Sequence, residues 1–191
     1  MPHTLAGQTA LITGGGRGIG RAVAHDLAAY GATVVLAARS AHEVNAAAED
    51  LRLRGATAWG LVCDVANPED VRALVERVVE ECGTVDILIN NAGILSPMGM
   101  TWDVDPEEWA YNIHVNLVGV FRMTHAVLPL MIEEGGGRII NVSTGAARSV
   151  TPGWSAYGAA KAGLDHFTRI LAAEVHPHGV RVNAVYPGAT D

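Results

Sequence analysis

The sequence predicts an α/β fold, a doubly wound parallel sheet with helices on both faces. Three observations point to it. Six short apolar runs alternate with helical patterns along the 191 residues. The runs are almost continuously apolar, as strands buried on both faces are, rather than alternating like a sheet with one wet face. The first run ends in a cluster of glycines that opens a helix.

Each element has a local reason. Thr9–Thr13 reads as a strand running into glycines. Residues 18–30 read as a helix, with Ile19, Val23 and Leu27 recurring on one face. Thr33–Ala38 (TVVLAA) is a buried strand, Ala41–Leu53 a helix, and residues 57–62 a third strand. Pro68–Cys82 is the strongest amphipathic pattern. Val71, Leu74, Val75, Val78 and Val79 fall on one stripe, and Pro68 suits the first turn. Residues 85–89 form a fourth strand. A long helical stretch runs from Pro106 to Met131, with Pro129 expected to bend or end it. Residues 138–142 give a fifth strand, 155–176 a helix, and Val180–Val185 a sixth strand. Neither repeat nor linker interrupts the series, so residues 1–191 read as a single domain.

Composition narrows the function. Hydrophobic residues make up 49% and charged residues 17%, a globular balance. The net charge is −7, which disfavours nucleic acid or an anionic membrane as partner. The two cysteines, Cys63 and Cys82, have neither CxxC nor zinc spacing. With no signal-like start and no long uninterrupted apolar stretch, the expectation is a cytoplasmic protein. Twelve of the 13 basic residues are arginine; Lys161 is the sole lysine.

The first strand enters Thr13-Gly14-Gly15-Gly16-Arg17-Gly18-Ile19-Gly20 and then a helix. Glycines let backbone N–H groups approach a pyrophosphate, and a helix N-terminus favours its charge. The spacing departs from G-x-G-x-x-G because Ile19 stands at its third glycine. It is not a Walker A loop, since Arg21 follows Gly20. Strand, turn and helix together favour dinucleotide binding over a plain flexible turn. The second strand ends Ala37-Ala38-Arg39-Ser40, without the carboxylate that binds a ribose 2′-hydroxyl. Arg39, with Arg17 in the glycine turn, suits a 2′-phosphate through bidentate hydrogen bonds, so NADP(H) is expected over NAD(H).

Tyr157 and Lys161 are one turn apart on a predicted helix that follows a strand C-terminus. A phenol with pKa ~10 is a poor acid–base group at neutral pH. An ammonium ~4–5 Å away would lower it by up to ~3 units before screening. A lone Tyr-x-x-x-Lys is more often a structural pair, but the isolation of the lysine and the glycine turn favour chemistry.

These residues complete an ordered set: Thr13-Gly14-x-x-x-Gly18-x-Gly20, Asn90-Asn91-Ala92-Gly93, Tyr157-x-x-x-Lys161, and Pro187-Gly188. The chain resembles the short-chain dehydrogenase/reductase family from about residue 5 to 191. The resemblance implies a Rossmann sheet of order 3-2-1-4-5-6. It implies that Asp64, with Val65 beside it, contacts the adenine and that Asn90, Ala92 and Gly93 line the cofactor and support the central strands. Gly14, Gly16, Arg17, Gly18, Ile19 and Gly20 belong to the same cofactor set. Asn116 matches the residue that holds a water in a proton relay with the lysine. Tyr157 would be the general acid/base. Lys161 would hold the nicotinamide ribose and lower the tyrosine pKa, and Pro187 and Gly188 would lie near the carboxamide.

The family's substrate-orienting serine falls on Thr144 here, with Ser143 as the alternative. A threonine hydroxyl can donate the same hydrogen bond, although its methyl stiffens χ1. After Pro187-Gly188 the family continues with a covering loop, a helix and a seventh strand, whereas this sequence stops at Asp191. The sixth strand is therefore expected to be an edge and the pocket to lack its lid. His176 and His178 lack a third clustered ligand, so no metal site is expected. Neither Ser143 nor Ser155 sits in G-x-S-x-G. Trp154 could wall a substrate pocket or pack in the core, and residues 96–105 read as a loop near it.

The reading favoured is an NADP(H)-dependent carbonyl reductase acting on a small-molecule ketone or, in reverse, an alcohol. The turn before Tyr157 looks similar to sepiapterin- and benzil-reductase-like members, and the overall pattern to 3-oxoacyl-carrier-protein reductases. The alternative is a truncated dinucleotide-binding module without useful catalysis. The helices from Pro106 and Ser155 resemble those through which family members associate, so a homodimer or homotetramer is expected.

Overall fold

The computed structural model describes residues 4–188. Six parallel strands form one sheet in the order β3-β2-β1-β4-β5-β6. They are β1 Thr9–Thr13, β2 Thr33–Ala38, β3 Ala58–Val62, β4 Ile87–Asn90, β5 Gly137–Val142 and β6 Val180–Val185. Strand order reverses between β1 and β4, the position where doubly wound folds open a crevice at the strand C-termini. Strand β6 lies last in this order among the described residues.

Successive side chains supply the two cores, because a strand presents alternate residues to opposite faces. Leu11, Val35, Leu88 and Ile139 face one way, toward helices α3 (Pro68–Cys82), α5 (Gly119–Glu133) and α6 (Ser155–Val175). Ala10, Ile12, Val34, Leu36 and Ile89 face the other, toward α1 (Gly18–Ala29) and α2 (Ala41–Leu53). Strands buried on both faces account for the continuous apolar runs.

Helix starts carry side-chain caps. Ser40 accepts the N–H of Glu43 at 3.2 Å, and Asn67 accepts that of Glu69 at 3.0 Å, with Pro68 in the first turn. Asp105 caps α4, Pro106–Ile113, by accepting the N–H groups of Glu107 and Glu108.

The long helical stretch differs from expectation. Pro129 neither ends nor delimits it: α5 runs through Pro129 to Glu133, held by buried Val127 and Met131 on either side. The irregularity lies earlier, in a π-helical turn at His114–Val118 between α4 and α5. An inserted π turn rotates the residues that follow it, and such turns cluster at functional sites; this one contains the buried Asn116. The stretch Pro106–Glu133 is long and apolar enough to cross a membrane by length and composition. It also buries Asn112, Asn116 and Thr124, which bond other protein groups. Other boundaries shift by a residue or two at strand ends.

Candidate active site

The C-terminal ends of β1, β2 and β3 border a cleft of about 380 Å³. Gly14, Gly16, Arg17, Gly18 and Ile19 form one wall, Arg39 a second, Asp64 and Val65 a third, and Ala92 and Gly93 the floor toward β4. Ten of the residues singled out as cofactor contacts are thus brought together.

The glycine turn suits a diphosphate. Helix α1 begins at Gly18 with no side-chain cap from Arg17 and no acidic residue in its first turn. Its first N–H groups are therefore available to an anion, and the helix dipole adds to the attraction. A Cβ at Gly18 would meet open space, so this wall leaves room for a ligand. These features fit a dinucleotide.

Two of the expected contact residues also serve the frame. Gly20 does not line the cleft. A Cβ there would collide with the Gly14 carbonyl and come within 2.6 Å of Asn91 Nδ2, so this glycine permits close approach of helix and turn. Asn90 is buried under the site and donates to Asn141 Oδ1 at 2.9 Å and Thr124 Oγ1 at 3.3 Å. Asn91 lines the cleft and ties the turn down by donating to the carbonyls of Thr13 (2.9 Å) and Gly14 (3.1 Å). The Thr13 hydroxyl accepts the N–H groups of Asn91 and Ala92 at 3.0 and 3.1 Å.

Asn116, Gly93 and Lys161 converge beyond the floor. A Cβ at Gly93 would lie 2.7 Å from Asn116 Oδ1 and 3.8 Å from Lys161 Nζ. The Asn116 carboxamide accepts the Ile94 N–H at 3.2 Å and donates to the Ile94 carbonyl at 2.7 Å. Asn112 joins it, donating to the carbonyl of Ser96 at 2.7 Å. The pair fixes the start of the loop after β4. Asn112 escaped the sequence reading, although its four-residue offset from Asn116 was a usable signal.

Lys161 is buried, with Nζ 5.8 Å from the centre of the Tyr157 ring and donating to the Val142 carbonyl at 2.7 Å. Burial pushes its pKa down to about 8, against a smaller upward pull from Asp165. The expected lowering of the Tyr157 pKa is not found in the chain alone. Burial raises it, and the neighbouring Thr144 hydroxyl pulls back only in part. Desolvation of the half-buried phenol outweighs the hydrogen bond from Thr144.

Thr144 and Ser143 differ in their hydrogen bonding. Ser143 is buried and donates to Asp165 Oδ1 at 2.6 Å. Thr144 is the hydroxyl next to the phenol. Asp165 also receives the Tyr186 hydroxyl at 3.0 Å. It lies one turn after Lys161, so Tyr157, Lys161 and Asp165 share a helix face. Trp154 stacks edge-on against Tyr157, 6.0 Å between ring centres. Pro187 and Gly188 follow β6 and do not line the cleft. Among the described residues no cluster of His, Cys, Asp or Glu could hold a metal ion.

The family model described as short chain dehydrogenase matches residues 8–191. The chain is 41% identical to the 3-oxoacyl-[acyl-carrier-protein] reductase FabG of Escherichia coli over 182 residues, 95% of this chain and 73% of that protein. A metagenomic short-chain oxidoreductase solved in complex with NADP superposes with a TM-score of 0.93 at 36% identity, covering 97% of this chain and 84% of that one. An NAD+-bound xylitol dehydrogenase gives 0.93 at 33% identity, covering 96% and 71%. The glycine turn at the sheet reversal, the Tyr157–Lys161 helix face and these likenesses lead to one conclusion: the chain belongs to the short-chain dehydrogenase/reductase family of oxidoreductases.

Proposed function

We propose that this chain is an NADP(H)-dependent reductase that converts a small-molecule ketone to a secondary alcohol. One observation carries the reading: the Thr144 hydroxyl lies next to the Tyr157 phenol, the buried Lys161 lies 5.8 Å from that ring and close to Gly93, and Gly93 lines a cleft that Arg39 also lines, with no carboxylate at the β2 terminus. The complex of the metagenomic relative with NADP supports the cofactor, and the likeness to FabG supports carbonyl reduction.

When bound, a nicotinamide dinucleotide would supply the hydride, and Gly93 and Ile94 are among the residues that would hold it. The chain supplies the rest. Thr144 donates a hydrogen bond to the carbonyl oxygen, where negative charge develops. Tyr157, kept protonated at neutral pH by burial, gives its proton to that oxygen as the C–H bond forms. The Lys161 ammonium, charged below about pH 8, stabilises the resulting phenolate until it is reprotonated. Asn116 holds the Ile94 backbone beside Lys161 and so shapes the nicotinamide end. Arg39 and Arg17 take the 2′-phosphate, and Asp64 the adenine edge. Neither arginine has an acidic ion-pair partner among the described residues.

Self-association through α5 and α6 belongs to the same reading. It is supported by Phe121, Ile132 and Ile170, which leave large apolar groups exposed on those helices. The free cysteines fit a reducing cytoplasm.

Fluorescence titration with NADPH and NADH tests the cofactor assignment. NADPH should bind at least about tenfold tighter, the size of one charge-assisted contact, and Arg39→Ala should abolish the difference. Equal affinities in the unaltered protein would overturn it.

A further inference from the structure

The adenosine end of the cleft carries a side chain that the family motifs do not specify. Tyr111, on α4, places its hydroxyl 3.1 Å from Arg39 Nη1, which donates to it. The same hydroxyl points at Asp64 Oδ2, 3.5 Å away. The other Asp64 oxygen accepts the Ala66 N–H at 2.9 Å, so the carboxylate is held by its own loop. A relay thus crosses the mouth of the cleft, from the β3 loop through Tyr111 to Arg39 at the end of β2. The phenol suits this place because one hydroxyl can accept from a guanidinium and donate to a carboxylate at once.

We propose that Tyr111 is a specificity-determining positioning residue, which holds the Arg39 guanidinium over the ribose 2′ position and so favours a 2′-phosphorylated dinucleotide. The inference rests on the NADP(H) reading above. Arg39 is exposed, and Tyr111 is its one side-chain hydrogen-bond partner among the described residues. A free arginine must give up side-chain freedom when it grips a phosphate, and a pre-placed one gives up less. Tyr111 contributes no charge. It acts through Arg39, and its effect should appear as selectivity rather than as overall affinity.

The test is a titration of the whole chain and of Tyr111→Phe, Arg39→Ala and the double variant with NADPH and NADH. Tyr111→Phe keeps the ring and removes the hydroxyl. Its NADPH-to-NADH affinity ratio should fall roughly threefold to tenfold, as expected for one hydrogen bond to a charged group in a partly wet site, with NADH affinity unchanged. In the Arg39→Ala background the same substitution should change nothing, since the group it positions is gone. A Tyr111→Phe ratio equal to that of the unaltered protein, or equal weakening of both cofactors, overturns the role of Tyr111 and leaves that of Arg39 standing. An unchanged ratio in Arg39→Ala removes the 2′-phosphate reading itself, and Tyr111 falls with it. Unfolding midpoints of the variants separate these results from misfolding, which the partly exposed position of Tyr111 makes a minor risk.

Discussion

The Ser143 hydroxyl donates to Asp165 at 2.6 Å, and this bond divides the labour between two adjacent hydroxyls. Ser143 is committed to the protein, and under the proposed mechanism Thr144 is the hydroxyl that meets substrate. Thr144→Ala should lower kcat/KM about 100-fold, as loss of one oxyanion donor does, with little change in unfolding midpoint. Ser143→Ala should do the reverse, costing about 1–2 kcal/mol of stability by removing a buried donor from Asp165. Steady-state kinetics and denaturant melts of the two variants check the division.

Lys161 ties activity to pH. Its pKa is pushed down to about 8 by burial, so reduction should decline as pH rises through about 8 and the ammonium is lost. Stability moves the other way. The folded state releases the proton near 8, while an unfolded lysine keeps it to about 10.4, so between these values the unfolded state binds more protons. Folding stability from this group therefore rises with pH across that window. Lys161→Met should eliminate turnover and be more stable than the natural protein at pH 7. The gap should narrow as pH rises from about 8 to 10. A pH-independent gap in melts of the two proteins would contradict this.

Gly20 keeps α1 against the glycine turn. Gly20→Ala would push a methyl into the Gly14 carbonyl and Asn91 Nδ2. Overpacking against backbone costs about 1–3 kcal/mol. Dinucleotide affinity should fall with it, because the displaced turn carries the N–H groups. Melting and cofactor titration of this variant give both numbers.

Asn112 and Asn116 act as a pair on the loop after β4. Asn112→Ala should loosen the Ile94–Ser96 backbone, whose carbonyls it holds, and raise KM for substrate more than it lowers kcat. An unchanged KM would show that the loop keeps its shape without the carboxamide.

The sheet was legible because its strands are buried on both faces and read as continuous apolar runs, and helices such as Pro68–Cys82 announced their proline and stripe. The π turn was not legible. Residues His114–Val118 carry an ordinary helical pattern, and nothing in their spacing marks the turn. Pro129 misled because tertiary packing of Val127 and Met131 outweighs one missing hydrogen bond. In the site, glycines and the Tyr157–Lys161 offset were visible because local spacing carries them. Tyr111 and Asp165 were not, since their partners Arg39 and Ser143 lie far away along the chain. The pKa of Tyr157 also needed the fold: its direction depends on burial, which no spacing reports.

The central claim is proton donation by Tyr157 during carbonyl reduction. The most direct measurement is oxidation of NADPH by a simple 1,2-diketone, comparing the chain with its Tyr157→Phe variant. The account predicts turnover in the former and a loss of at least about 100-fold in the latter, with NADPH still bound. Equal turnover in both, or NADPH binding without oxidation across a panel of ketones, would contradict it and leave a dinucleotide-binding module in its place.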